Sequence, residues 1–139
     1  DIILLDENDI YKGDKSFSLQ AHDCMPVQEL ILCILHKNSY DAILTLANRI
    51  TGSHEQFVEH MNLKAQELGC KDTLFQNAYG LYHQNHYSCA KDLTIIAAYL
   101  LKLGGEDFIR LSQVKEMTLS DQLQQWMISD QVLLKQYQF

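Results

Sequence analysis

The chain has 139 residues, of which 47% are hydrophobic and 21% charged, and its formal net charge is −7. That length and composition suit one packed domain and exclude a disordered or low-complexity chain. Its 11 Lys and Arg residues are scattered, which argues against nucleic acid and against an anionic membrane surface, since both need clustered positive charge. No apolar run reaches the ~20 residues of a transmembrane helix.

The opening DIILLDENDIY has no basic leader region, so it does not read as a signal peptide, although a signal could lie upstream of it. Ile2, Ile3, Leu4 and Leu5 form an apolar run of strand length, and Asp6-Glu7-Asn8-Asp9 breaks it as a turn. Phe17 and Leu19 alternate with Ser16, Ser18 and Gln20, which predicts a second strand and a small antiparallel pair.

Pro26 predicts the start of a first helix, because its fixed φ suits the first helical position. Val27, Leu30, Ile31, Ile34 and Leu35 form the apolar stripe, widened by Leu32 and Cys33. A second helix is expected over 40–50, buried through Ile43, Leu44, Leu46, Ala47 and Ile50 and closed by Gly52. Ser53, with Gln56 three residues on, has capping-box spacing and opens a third helix with a stripe of Phe57, Met61, Ala65 and Leu68. Gly69 ends it.

Residues 70–87 read as a loop rich in Asn, Gly, Tyr and His, with a short strand at 73–75. Ser88 is the expected N-cap of a fourth helix, with an apolar face of Leu93, Ile96, Ala97, Leu100 and Leu101 and a stop at Gly104-Gly105. A shorter helix over 107–114 and a hairpin of 117–119 with 126–134 follow, with Trp126 packed beneath it. The pattern is α+β, mostly helical.

Several residue types invite chemistry. Cys24, Cys33, Cys70 and Cys89 form no CxxC pair and read as buried or partly buried free thiols. His83 and His86 lie three apart in a loop without a third ligand at zinc spacing, so no metal or cofactor is expected there. His86 and Asn77 are expected instead to tie the loop's backbone. His54 and His60 read as solvated, and Asp41 and Asp92 as first-turn charges favoured by the helix dipole.

One run carries more than secondary structure. Phe57, Val58, Met61, Asn62, Lys64, Ala65, Leu68 and Gly69 are followed by Thr73, Phe75, Asn77, Gly80 and Leu81, then by His86, Tyr87, Ser88, Ala90, Asp92 and Leu93. These spacings resemble the serine-type D-alanyl-D-alanine carboxypeptidases, the low-molecular-weight penicillin-binding proteins. Pro26-Val27, Glu29-Leu30, Asp41-Ala42, Leu46-Ala47 and the stretch from Ser129 to Leu134 extend the likeness more weakly.

The resemblance implies the helical subdomain of a β-lactamase/transpeptidase-like fold, with residues 1–139 as a single partial domain from its middle. It implies a place in peptidoglycan maturation at the cell envelope, periplasmic or extracytoplasmic, with the peptidoglycan stem peptide or a protein as partner.

Such enzymes acylate a serine from an S-x-x-K turn, assisted by an S-x-N motif and a K-T-G strand. No S-x-x-K stands at the place the resemblance gives the nucleophile, and K-T-G does not occur; Ser88 with Lys91 and Ser112 with Lys115 have the spacing but fall elsewhere in the match. The S-x-N position falls directly before Asp41-Ala42, where Asn38 stands in the serine place and Tyr40 in the asparagine place, with Ser39 displaced by one. An amide cannot relay a proton as an alcohol does, so these residues alone are expected to be inactive. The two readings are a portion or degenerate relative of the carboxypeptidase, a pseudoenzyme, and a non-catalytic scaffold. A helical module of unrelated descent is a third.

Overall fold

A computed structural model describes residues 1–13, 19–114, 116–117 and 126–127. In chain order it has β1 (Ile2–Leu4), a 3-10 turn (Glu7–Asp9), β2 (Cys24–Pro26), α1 (Val27–Lys37), α2 (Tyr40–Thr51), α3 (His54–Glu67), α4 (Ala90–Ser112), β3 (Glu116–Met117) and β4 (Trp126–Met127). The expected mostly helical α+β class is what the chain adopts. The partner of β1 is β2, antiparallel with Ile2 opposite Pro26 and Leu4 opposite Cys24, not the alternating stretch expected to supply it. Leu19, from that stretch, is buried outside any strand, while Ser16, Phe17 and Ser18 lie outside the described residues. β3 pairs antiparallel with β4. The rest of the expected hairpin and the Trp126 side chain also lie outside the described residues.

Local chemistry sets most helix ends. The Asp6 side chain accepts the N–H of Asn8, and Asp9 closes the turn by accepting the Asp6 N–H. Pro26 is extended (φ −60°, ψ 140°) and paired in β2, so α1 begins one residue later than expected. Gly52 takes φ +91° and caps α2, and Ser53 accepts the Gln56 N–H at 3.2 Å to open α3. α4 departs from the sequence expectation at its start. The Ser88 hydroxyl bonds that of Thr73 at 2.9 Å, so Cys89 becomes the N-cap. At its far end the chain leaves helical geometry at Gly104 (φ −154°, ψ 34°), so the expected stop is present as a kink, and a second, shorter helical stretch runs on to Ser112.

The core lies where α1 meets α2 and the first strand pair. Leu5, Leu19, Met25, Leu30, Leu32, Cys33 and Ala42 are buried together, with Ile3, Ile10, Ile34, Leu46, Leu111 and Val114 packed against them. Burial, with the Glu29 carboxylate, pushes the Cys33 thiol up to about 12, so it behaves as an apolar group. Cys24 is the exception to the buried-thiol expectation: it sits exposed on a two-stranded edge. Ile50, expected on the buried face of α2, is exposed.

A buried carboxylate joins the N-terminal segment to this core. Asp41, in the first turn of α2, accepts the N–H of Tyr11 at 2.6 Å on one oxygen and that of Leu19 at 2.8 Å on the other. We predict that Asp41→Ala, which orphans both amides, costs about 3 kcal/mol in urea unfolding. A cost within experimental error of zero would mean that the segment is held by packing alone.

The expected apolar face of α4 is present but uncovered. Leu93 is 53% exposed, Leu101 50% and Leu103 68%, with Leu63 of α3 also open. A contiguous apolar surface of this kind favours association. Light scattering at rising concentration should therefore show mass growing beyond one chain, and Leu100→Gln with Leu101→Gln should reverse the growth. A monodisperse monomer at high concentration would contradict this.

Candidate functional site

The α1–α2 junction holds Asn38, Ser39 and Tyr40, where the resemblance led us to expect the second motif. Asn38 caps α1 in the left-handed region (φ 50°, ψ 44°) and is exposed; its N–H serves the carbonyls of Cys33 and Ile34. Ser39 is 0% exposed, and its Oγ accepts the Ala42 N–H at 3.3 Å as the N-cap of α2. The serine hydroxyl of this turn is therefore committed to the helix beneath it. Tyr40 starts α2 half-buried and packs into other rings rather than presenting an amide.

Those rings form a connected cluster. Tyr40 meets Tyr11 edge-on at 5.1 Å between centroids, and Tyr79 lies 5.5 Å from both. His54 stacks on Tyr79 at 4.6 Å with planes 4° apart. Tyr11 is held by the Asp41 bond to its N–H, and Gly13 passes so close over its ring that a Cβ there would lie 2.6 Å from it. Burial raises the pKa of Tyr79, helped by Tyr11 and Glu55, so its phenol stays protonated in neutral solution.

His54 corrects the sequence expectation. It is half-buried, with Nε2 accepting the Ala78 N–H at 3.2 Å and Nδ1 lying 3.4 Å from the Tyr79 hydroxyl. His60 is exposed as expected. The reading of His54 as solvated failed because residues 77–80 fold over it from 24 positions away, which no local periodicity encodes.

The loop over 70–87 is pinned throughout. Asn62 donates to the Phe75 carbonyl at 2.9 Å and accepts the Phe75 N–H at 2.8 Å. Leu74 and Tyr87 pair as an isolated antiparallel bridge, reducing the expected strand to one residue pair. As expected, Asn77 brackets Leu81 through two bonds and His86 Nδ1 accepts the Gln76 N–H at 3.1 Å. A groove of about 890 Å³ runs between α3 and this loop, past Glu59, Asn62, Lys71, Thr73 and Phe75.

Asp92 anchors the far end of the loop. It is buried and accepts the Asp72 N–H and the Thr73 hydroxyl, both at 2.8 Å, on the same oxygen. Burial pushes its pKa up. The bonds from Thr73, Asp72 and Cys89, with Lys91, outweigh that and hold the carboxyl below its ordinary value. Ligand-type atoms of Asp72, Cys89 and Asp92 lie within 4.8 Å of one another. The bonded Asp92 oxygen and the positive end of α4 both suit an anion-holding staple better than a cation site. Burial, then Asp92 and Cys89, push the Cys70 thiol up. The first-turn charge expected of Asp41 and Asp92 is thus a set of specific backbone bonds.

What the arrangement offers chemically is an exposed amide at Asn38, a phenol at Tyr40 and a capped hydroxyl at Ser39. Among the described residues, Ser39 Oγ is bonded to the Ala42 N–H and the Tyr40 ring packs against Tyr11 and Tyr79. Among the described residues, no helix is long and apolar enough to cross a membrane.

Comparison with known proteins gives this junction its context. Residues 6–139 match the D-alanyl-D-alanine carboxypeptidase family. The D-alanyl-D-alanine carboxypeptidase DacF of Bacillus subtilis is 35% identical over 133 residues, covering 90% of this chain and 32% of that protein. The crystal structure of penicillin binding protein 6B from Escherichia coli superposes with a TM-score of 0.77 at 28% identity, covering 90% of this chain and 41% of that one. A D-alanyl-D-alanine carboxypeptidase from Mycobacterium tuberculosis shares the fold, with a TM-score of 0.83 at 22% identity over 99% of this chain and 52% of that one. The chain therefore spans about a third of the length of the first of these relatives, and a match over nearly all of its own residues means that it belongs to the D-alanyl-D-alanine carboxypeptidase family.

Proposed function

We propose that this chain forms the helical portion of a carboxypeptidase-type domain, meets the peptidoglycan stem peptide at the α1–α2 junction, and forms no acyl-enzyme with its own residues. Residues 1–139 are one partial domain on this reading, working on the outer side of the cytoplasmic membrane, where stem peptides are trimmed. The observation that carries it is the state of the junction: Ser39 is wholly buried as a helix cap, and Tyr40 is packed among Tyr11 and Tyr79. Hydrolysis of a terminal D-alanine needs a hydroxyl that attacks the carbonyl carbon while a neighbouring base takes its proton and the D-alanine amine departs. The turn over 37–40 can line such a site, with the Asn38 amide and the Tyr40 ring, but cannot drive it.

The second reading is a non-catalytic scaffold that binds peptidoglycan or a protein. Two observations favour it: the loss of motif chemistry at Asn38 and Tyr40, and the open apolar face of α4.

Titration with an acylated peptide ending in D-Ala-D-Ala, followed by NMR, tests the first reading. We expect shifts at Asn38, Tyr40 and Tyr79 with no D-alanine released. Tyr40→Asn, which returns an amide to the family's position, should tighten binding about fivefold, the worth of one hydrogen bond of ~1 kcal/mol. Release of D-alanine would overturn the inactive assignment. Absence of shifts at saturating peptide would overturn the stem-peptide assignment and leave the scaffold with a protein partner.

A further inference from the structure

We propose that His54 is a proton-operated clamp: while its ring is neutral it holds residues 77–80 and, through Tyr79, the tyrosine cluster beside the second-motif position, and on protonation it lets them go. The inference concerns regulation of the site described under the proposed function and rests on that reading for its biological meaning. Its physical test needs neither ligand nor activity.

The geometry is specific about the proton. Ala78 donates its N–H to His54 Nε2 at 3.2 Å. An imidazole nitrogen accepts only when it carries no hydrogen, so the single hydrogen of the neutral ring sits on Nδ1, which lies 3.4 Å from the Tyr79 hydroxyl. A second proton can go only to Nε2, where it would face the Ala78 N–H donor to donor. The bond to the loop is then lost and replaced by a repulsive contact. Because Tyr79 is stacked on the same ring and is 5.5 Å from both Tyr11 and Tyr40, release of residues 77–80 removes one wall of the cluster.

The surroundings decide which state wins. His54 is the first residue of α3, where the positive end of the helix dipole opposes an imidazolium. It lines a cleft of about 550 Å³ with Asp6 and Asp9 of the 3-10 turn, Arg49 of α2, Glu55 of α3 and Tyr79 of the loop. Asp9 is committed to Asn48, the Asp6 N–H and Arg49, and Asp6 to Asn8. Glu55 is the carboxylate that favours the cation, and the face of the Tyr79 ring does so as well. Burial outweighs the pull of Glu55, and the ring's pKa lies below its ordinary 6.5. The sign follows from linkage. The unfolded chain takes up this proton before the folded one. The clamp therefore contributes fully above the unfolded pKa and is lost as pH falls through the lowered folded value.

The experiment is a pH titration of the whole chain from 7.5 to 4.5 by NMR, reading the Ala78 and Tyr79 amides and the His54 ring together. The clamp predicts one shared midpoint below the ordinary histidine range and, across it, at least about tenfold faster exchange of the Ala78 amide after correction for the intrinsic rate. His54→Gln keeps an acceptor that does not titrate, so its Ala78 amide should hold its shift and protection over the whole range. His54→Phe keeps the stack without the acceptor and should show the unprotected amide at pH 7.5. If the wild-type Ala78 and Tyr79 amides stay flat while the His54 ring titrates, the clamp is wrong. The same holds if His54→Gln shows the wild-type midpoint at those amides. The wild-type titration decides the matter even if neither variant folds. Stem-peptide binding lost or kept at pH 7.5 bears only on the proposed function.

Discussion

The Asp41 carboxylate fixes the part of the molecule on which the functional argument turns. By accepting the N–H groups of Tyr11 and Leu19 on its two oxygens, it brings a segment about thirty residues upstream onto the first turn of α2. Tyr11 can then meet Tyr40, and Leu19 can enter the core. A buried carboxylate without such partners would pay a heavy desolvation cost; with two amide donors at the positive end of a helix it becomes an anchor. The turn before it is tightened in the same way, by Ser39 below and by the left-handed Asn38 above. Each polar group in residues 38–41 that could have served chemistry has a structural duty, except those of Asn38 and Tyr40 that face outward or into the ring cluster.

The anchors of the scaffold lie apart from the turn over 38–40. The scaffold depends on Asp41, on the Asn62 pair with Phe75, on Asn77 around Leu81 and on Asp92 beneath Thr73. None of these lies at the serine or asparagine place of the motif. Asn38 and Tyr40 leave every one of these anchors intact. The tyrosine then finds a packing solution with Tyr11 and Tyr79, since aromatic pairs at such separations are favourable beyond their buried area.

What was legible in the sequence was local. Gly52 after α2, Ser53 before α3 and Gly69 after it depend on a residue and its neighbours within one turn, and the structure has them where spacing places them. The loop ties of Asn77 and His86 were also readable, because a loop of that length must satisfy its own backbone. What escaped depends on distant partners. Ser88 gives up the N-cap of α4 because Thr73 takes its hydroxyl. His54 is drawn out of solvent by residues 77–80, and β1 chooses Cys24–Pro26 over the alternating stretch. The α4 stripe was correctly found as apolar but not as uncovered, since periodicity states which residues want burial and not what buries them. For the candidate site, position was legible through the family's spacing. That the Ser39 hydroxyl is spent on capping α2 needed coordinates.

The central claim is that these residues hold no hydroxyl free to be acylated at the motif turn. Intact-mass spectrometry after prolonged incubation with a β-lactam addresses it directly, followed by peptide mapping of any adduct. We expect the unmodified mass throughout. A stoichiometric adduct mapped to Ser39 would mean that the cap opens to expose its oxygen, and the assignment of this turn as a structural remnant would fall.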